Sequence, residues 1–413
     1  SVMRYKGKVG ETLQIAKELN VDAIMSGRLV QIGDELSISV QLTDARTDKL
    51  IWAEQYDRKM SDLLATQREI AVTIADKLQL RLSGEAARGI TKNYTNSNEA
   101  YQLYLKGRHQ WNKRTAESLK LAVGFYDQAI EKDPSFALAY SGLAESYVLF
   151  SNYDVGLAKD SMPQAKAAAL RALALDDSLA EAYTALGFYR FLYEFDLAGG
   201  ERDLRRAIEL NPNYATARQW LGQILVHSKR FEEGNAEIRL ALEADPLSPI
   251  VRFNAASNLY LARRYDDALR EFQNTIAIYP DFPHMPTGMC WATYAKGELE
   301  QAIPLCRKSL ELVPEAYNKG YLALVLGRSG QLDEARKLLD ELEEESSRRA
   351  VPGIAFALAH LGLGQKENAL SMLEKEVDSR GYAATSLAVL PELDELRSEP
   401  RFTAMLNKMN LPE

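Results

Sequence analysis

Ala207-Ile-Glu-Leu-Asn-Pro212 and Ala241-Leu-Glu-Ala-Asp-Pro246 are one ending written twice, 34 residues apart. Pro280 and Pro314 continue the series, so Pro212, Pro246, Pro280 and Pro314 stand at three successive intervals of 34 residues. Proline lacks the N–H that a helix interior needs and clashes with the preceding turn, so each one stops a helix and lets the next start at a new angle. Twelve residues before each proline sits a small residue, Gly200, Gly234, Ala268 or Ala302. A small side chain recurring there predicts two antiparallel helices crossing closely within each repeat.

The register extends both ways. Upstream, Pro134 has Ala122 and Ala129 at the matching offsets, and Asp177 stands in the proline position with Ala165 and Ala172. The interval from Pro134 to Asp177 is 43 residues, which places an insertion of about nine residues around Ser151–Met162. Downstream, Ala335 and Ala369 carry the small-residue row on at intervals of 33 and 34. Helix pairs are therefore expected to begin near Ala100, Ala137, Ala180, Ala215, Pro249, Pro283, Ala316 and Val351.

These positions resemble tetratricopeptide (TPR) repeats: Tyr183-x-x-Leu186-Gly187 and Trp220-Leu221-Gly222 match the first-helix pattern, and Tyr126, Ala129 and Pro134 the second. The resemblance implies a mainly α fold over 99–390, a solenoid of about eight helix hairpins that binds a protein or peptide. Pro400-Arg401-Phe402 opens a short helix with Phe402, Met405, Leu406 and Met409 on one face, which reads as a capping element within 391–413. In TPR proteins four first-helix positions line the concave groove. Carried over by register they are Tyr101, Tyr104, Arg108 and Trp111, then Phe188 and Phe191, Gln219 and Gln223, Phe253 and Tyr260, Trp291 and Tyr294, and Tyr317. An aromatic lining with polar tips suits an extended peptide, because rings supply large contact area at low entropy cost. The alternative is that many of these rings pack between neighbouring repeats. The Lys/Asn carboxylate clamp of chaperone-binding TPR domains is not matched, since Thr184, Gln219 and Phe253 occupy its positions.

The first 85 residues lack the period. Gly10–Asn20 reads as a helix, Asp22–Gln31 as a strand, Gly33-Asp34 as a tight turn and Glu35–Thr43 as a second strand. That second strand alternates, with Leu36, Ile38, Val40 and Leu42 on one face and Ser37, Ser39 and Gln41 on the other. A third strand over Lys49–Tyr56 and a helix from Ser61, as N-cap, to about Leu82 complete an α+β unit. A linker over 86–98 joins it to the repeats. Glu18-Leu-Asn-Val-Asp-Ala-Ile-Met-Ser-Gly-Arg-Leu29, with Leu42-Thr-Asp-Ala45 and Leu50-Ile-Trp-Ala-Glu-Gln-Tyr56-Asp57, resembles the TolB amino-terminal-like (FlgO-like) domain. Such domains usually begin with a further strand and helix, so the resemblance implies a sheet edge left open, through which a homodimer could form. Bacterial proteins with this combination carry an effector upstream, resembling a serine/threonine kinase, a nucleotide cyclase or a winged-helix regulator. The runs Arg58–Gln67 and Tyr104–Arg114 are most similar to the kinase-linked group. The chain opens at Ser1-Val-Met-Arg-Tyr5 in structured-looking sequence, which reads as a piece of a longer protein.

Other chemistry is sparse. Lys plus Arg total 50 against 58 Asp plus Glu, a formal charge of −8, which disfavours nucleic acid as partner. No run is apolar enough to insert in a membrane. The protein-kinase motif set is absent from this stretch, and Gly362-x-Gly364 reads as a helix–helix turn. His109, His227, His284 and His360 fall in four different repeats, so no metal cluster is expected and they read as surface or groove residues. Cys290 and Cys306 read as small thiols packed across one hairpin. Glu341 and Glu343-Glu344-Glu345 read as a solvated helix end. No cofactor is called for, and neither side of a membrane is favoured. The expectation is a non-catalytic binding region, sensor or scaffold, of a bacterial signalling protein, or else an envelope assembly adaptor. Enzymatic activity, kinase or cyclase, would belong to a domain outside this stretch.

Overall fold

A computed structural model describes residues 5, 12–19, 21–78, 92 and 94–412. The chain folds as two compact units. One holds the described residues up to Leu103 together with Ala129–Phe136; the other holds Tyr104–Gln128 and everything from Ala137 on.

In the first unit, helix α1 (Thr12–Leu19) precedes strands β1 (Ala23–Ile32), β2 (Glu35–Asp44) and β3 (Leu50–Lys59), then helix α2 (Leu63–Lys77). The sheet is antiparallel in the order β1-β2-β3. Gly33, at φ +62°, makes the tight turn that a side chain would strain. Leu36, Ile38, Val40 and Leu42 are buried and alternate with more exposed Ser37, Ser39 and Gln41, as the sequence pattern predicts. Tyr56 joins this core, with Met60, Leu63 and Ile70 packed against it. Ser61 is not the N-cap: Met60–Asp62 forms a 3-10 turn, and Ser61 Oγ donates to Asp62 Oδ1 at 3.1 Å. β1 is an edge strand among the described residues, and Met25, Leu29 and Ile32 on it are exposed.

The expected helix end beyond Leu78 and most of the linker over 86–98 lie outside the described residues. The described end of that linker is bonded within its unit. Thr95 Oγ1 donates to Asp133 Oδ2 at 2.5 Å, and Asn98 Nδ2 to the Met60 and Ser61 carbonyls at 3.0 and 2.6 Å.

The TPR solenoid follows, its first two helices divided between the two units. Its helices are α3 (Asn98–Trp111), α4 (Ala116–Lys132), α5 (Ala137–Tyr147), α6 (Ala158–Leu175), α7 (Ala180–Tyr189), α8 (Leu197–Leu210), α9 (Ala215–His227) and α10 (Phe231–Ala244). They continue as α11 (Pro249–Leu261), α12 (Tyr265–Ile278), α13 (Met285–Ala295), α14 (Leu299–Leu312), α15 (Ala316–Arg328), α16 (Leu332–Ser346), α17 (Gly353–Gly362) and α18 (Lys366–Asp378). Helices α8, α10, α12 and α14 end two residues before Pro212, Pro246, Pro280 and Pro314, as the period requires. The small-residue row is buried at the crossings. A Cβ on Gly234 would lie 2.8 Å from the Gly222 carbonyl, so these two backbones meet with no room for a side chain. Gly297, Gly330 and Gly364 occupy the left-handed turn between the helices of three successive hairpins, and Lys229 and Arg263 hold the same conformation in the two before.

Three features depart from a plain array. Cys290 and Cys306, on α13 and α14, form a disulfide rather than packing as thiols, because the close crossing brings their Cα atoms to 5.0 Å. His360 is buried in the last turn of helix α17, its Nδ1 2.7 Å from Gln365 Oε1, rather than a surface or groove residue. At the C-terminus the structure holds 3-10 turns at Tyr382–Ser386 and Pro391–Leu396 before the short helix α19 (Pro400–Lys408). Phe402, Met405, Leu406 and Met409 are buried, and Arg401 pairs with Glu374 of α18 at 2.6 Å.

Candidate functional site on the concave face

The C-terminal segment runs back across the first helices of the middle hairpins. Glu392, almost fully buried, accepts a hydrogen bond from Tyr260 Oη at 2.5 Å and another from Tyr317 Oη at 3.2 Å. Burial pushes its carboxyl above the usual range, with the tyrosine hydroxyls and the nearby Arg263 opposing. Arg263 donates to the Val389 carbonyl at 2.6 Å and pairs with Asp394 at 2.7 Å. It does so from a left-handed backbone position, φ +64°, that later hairpins give to glycine. Strain there is offset by the bonds its side chain makes. Leu387, Val389, Leu390, Leu393 and Leu396 bury the strap's apolar side.

The inserted segment predicted near Ser151 lies between α5 and α6, and residues 151–157 wall the other side of the same face. Between insertion and strap lies a cavity of about 370 Å³, within the size range of small-ligand sites. Its lining draws on the first helices of successive hairpins, α7, α9, α11, α13 and α15, with α9 and α11 contributing most of it.

Of the residues placed in the groove by register, Phe188, Gln219, Gln223, Phe253, Tyr260, Trp291 and Tyr317 line this cavity together. Their rings interlock: Phe188 stacks on Trp220 at 4.2 Å, and Trp291 meets Phe253 and Tyr317 edge-on at 5.9 and 5.8 Å. The other members lie elsewhere. Phe191 is fully buried against Phe188 and His227, and Tyr294 packs on Tyr321. Arg108 is committed to an ion pair with buried Glu145, which also accepts from Tyr214 Oη. Tyr104 rests 5.9 Å from Tyr126, Trp111 is buried beneath arginines, and Tyr101, half-buried, belongs to the first unit. None of the register-placed residues is exposed.

Sequence reasoning missed Arg114, Glu315 and Arg349, because each lies in a turn or at a helix edge rather than at a first-helix groove position. Arg114 occupies the α3–α4 turn at φ +56°, is buried, and lays its guanidinium 3.6 Å over the Trp111 ring. Its Nε has no hydrogen-bond partner, and no carboxylate pairs with it among the described residues. Its carbonyl faces His284 Nε2 at 3.4 Å. Glu315 is pushed up to about 8 by burial, with the Asp154 charge adding and Arg349 opposing; it is therefore mostly protonated at neutral pH. Arg349 bridges Asp154, at 3.2 Å, and Glu345. Burial holds His227 down to about 4 and lowers His284, so both rings are neutral. Among the described residues no group of three or more His, Cys, Asp or Glu side chains could hold a metal ion.

A tetratricopeptide repeat family model matches residues 191–249. The chain is 30% identical over 180 residues to "Putative adenylate cyclase 3" of Rhizobium meliloti, covering 43% of this chain and 30% of that protein. It is 24% identical over 267 residues to "Transcriptional regulator HilA" of Salmonella typhimurium, covering 63% and 47% respectively. The chain thus spans less than half the length of the relatives it matches. Among solved structures it is similar to yeast Tom70, at 18% identity and a TM-score of 0.45, over 84% of this chain and 78% of that one. It is also similar to a tetratricopeptide repeat protein from Parabacteroides merdae, at 15% identity and a TM-score of 0.39, over 76% and 100%.

Proposed function

We propose that this chain is the non-catalytic sensor region of a longer bacterial signalling protein, and that the concave face of the solenoid holds a protein or peptide partner. TPR arrays serve as protein-interaction scaffolds, and the finer reading rests on one observation. Seven first-helix side chains, carried by five hairpins, converge on a single cavity between the inserted segment and the strap. Such convergence gives a partner a foothold, where an anchoring group is desolvated among rings and oriented by a few polar atoms.

The signalling context draws on analogy. Two relatives carry the names of output proteins, a cyclase and a transcriptional regulator, over lengths this chain does not span. The α-β-β-β-α order of the first unit agrees with a TolB amino-terminal-like domain, which in bacteria links such arrays to kinase, cyclase or winged-helix effectors. Self-association through the exposed apolar edge of β1 belongs to the same reading.

The test is panning of a displayed peptide library on the parent chain and on Ser257→Trp, in which an indole fills the cavity. Peptides enriched on the parent and lost from a folded Ser257→Trp support concave-face binding. Peptides that bind both alike place recognition on another surface and overturn it.

A further inference from the structure

The polar chemistry of the cavity is lopsided. Arg114 contributes a guanidinium that stays cationic at neutral pH, buried to 2% exposure and without an ion-pair partner among the described residues. Five unmatched polar atoms lie on cavity residues: Arg114 Nε and Trp291 Nε1 are donors, Gln223 Oε1 is an acceptor, and Ser151 Oγ and His227 Nδ1 can take either role. Buried polar atoms in native proteins are almost always hydrogen-bonded, so several orphans gathered on one cavity mark a place where a ligand supplies the partners. The nearby acids are paired elsewhere, Glu145 with Arg108 and Tyr214 and Asp154 with Arg349, so Arg114 feels the Glu145 charge only at a distance. Burial acts against the Arg114 charge, and the turn beneath it is strained at φ +56°. The Trp111 ring and the distant Glu145 charge offset part of that burial, and a buried cation without a direct counter-ion on a strained turn gains further from meeting an anion.

The geometry points to a small organic acid as the cavity's ligand, its carboxylate against Arg114 and its flat apolar body among the rings of Phe253 and Trp291. This rests on the concave-face reading and adds to it a small ligand held in the cavity of that face. Arg114 stacked on Trp111 presents a planar fork pre-set for a carboxylate. Trp291 Nε1 and Gln223 Oε1, on residues lining the same cavity, offer an unmatched donor and an unmatched acceptor to a second polar group. Residues of both the insertion and the strap line the cavity, whose volume of about 370 Å³ is that of a small-ligand site. A carboxylate carried by a peptide would offer Arg114 the same chemistry, and the arms below separate the two.

The experiment is calorimetric titration of the parent chain with acetate, benzoate, phenylacetate and indole-3-acetate, each beside its neutral amide, and with a short acidic peptide. We expect an aromatic acid to bind and its amide to bind about 10- to 100-fold more weakly, the cost of losing charge-assisted hydrogen bonds. Arg114→Gln should lose about the same factor, while Arg114→Lys, keeping charge without the fork, should lose less. Because Arg114→Gln could alter the turn, Trp291→Phe is read beside it: the ring is retained, the Nε1 donor is gone, and affinity should fall about 3- to 10-fold. Failure of every acid, or equal binding of acid and amide, overturns the proposal, as does undiminished binding by Arg114→Gln. Binding of the peptide alone replaces the small acid with a chain-borne carboxylate. If acids fail while Ser257→Trp still abolishes peptide capture, this inference falls and the concave-face reading stands.

Discussion

Glu392→Ala tests whether the C-terminal strap is latched to the solenoid by polar contacts or only by its apolar side. The carboxylate satisfies two hydroxyls, Tyr260 at 2.5 Å and Tyr317 at 3.2 Å, and Tyr260 is fully buried. A buried hydroxyl left without a partner costs about 1–3 kcal/mol. Losing both partners, less the relief of no longer burying a carboxyl, gives a net cost of about 2–4 kcal/mol. Five buried aliphatic side chains hold the same strap, each contributing about 1.5–3 kcal/mol, so the strap stays docked and only its opening equilibrium shifts. A shift of 2 kcal/mol is about 30-fold in local opening. Hydrogen exchange of amides 384–397 should therefore speed up by at least that factor, with α5 and α6 unchanged. Glu392→Gln keeps an acceptor of the same shape and should show a smaller effect. Unchanged exchange in the strap, or equal acceleration along the whole solenoid, would refute the latch.

Reduction of Cys290–Cys306, or Cys306→Ser, releases a cross-link across 16 residues, worth about 3 kcal/mol by loop closure; urea melts with and without reductant should differ, and two titratable thiols in the unreduced, denatured chain would sink the idea. Glu315 holds its proton in the folded state up to about pH 8, whereas an unfolded glutamate loses it near 4.3. Its folded pKa is raised, so stability falls as pH climbs between those values, by about 1.4 kcal/mol per unit. Glu315→Gln should flatten that slope in melts from pH 5 to 8, and a slope identical to the parent's would rule the assignment out. Leu29→Lys with Ile32→Lys places charge on the open edge of β1; light scattering should show less dimer than for the parent, and an unchanged mass would remove β1 as the contact. Lys229→Gly and Arg263→Gly relieve the same left-handed strain, yet only the first should gain stability, about 0.5–1 kcal/mol, because Arg263 also holds Val389 and Asp394; equal gains would show that the arginine contacts contribute nothing.

The 34-residue register was legible because a repeat stacks on its neighbours at fixed spacing, so each helix stop and each small crossing residue must recur. The helix ends before Pro212, Pro246, Pro280 and Pro314, the extra residues near Ser151 and the alternation of Leu36, Ile38, Val40 and Leu42 are all local or periodic properties of the chain. First-helix register likewise pointed to Phe253, Trp291 and Tyr317. What register could not supply was the strap: Leu387–Leu396 carries no period, and its docking on Tyr260 and Arg263 joins residues more than 120 apart. Nor could it separate Phe188, at the cavity, from Phe191, one turn on and sealed in packing. Arg114 reads as one more turn arginine until the fold buries it on Trp111 without a carboxylate. Periodicity encodes which face of a helix turns inward, whereas desolvation and the pairing of charges depend on every segment that closes over that face. Only the assembled tertiary structure decides those.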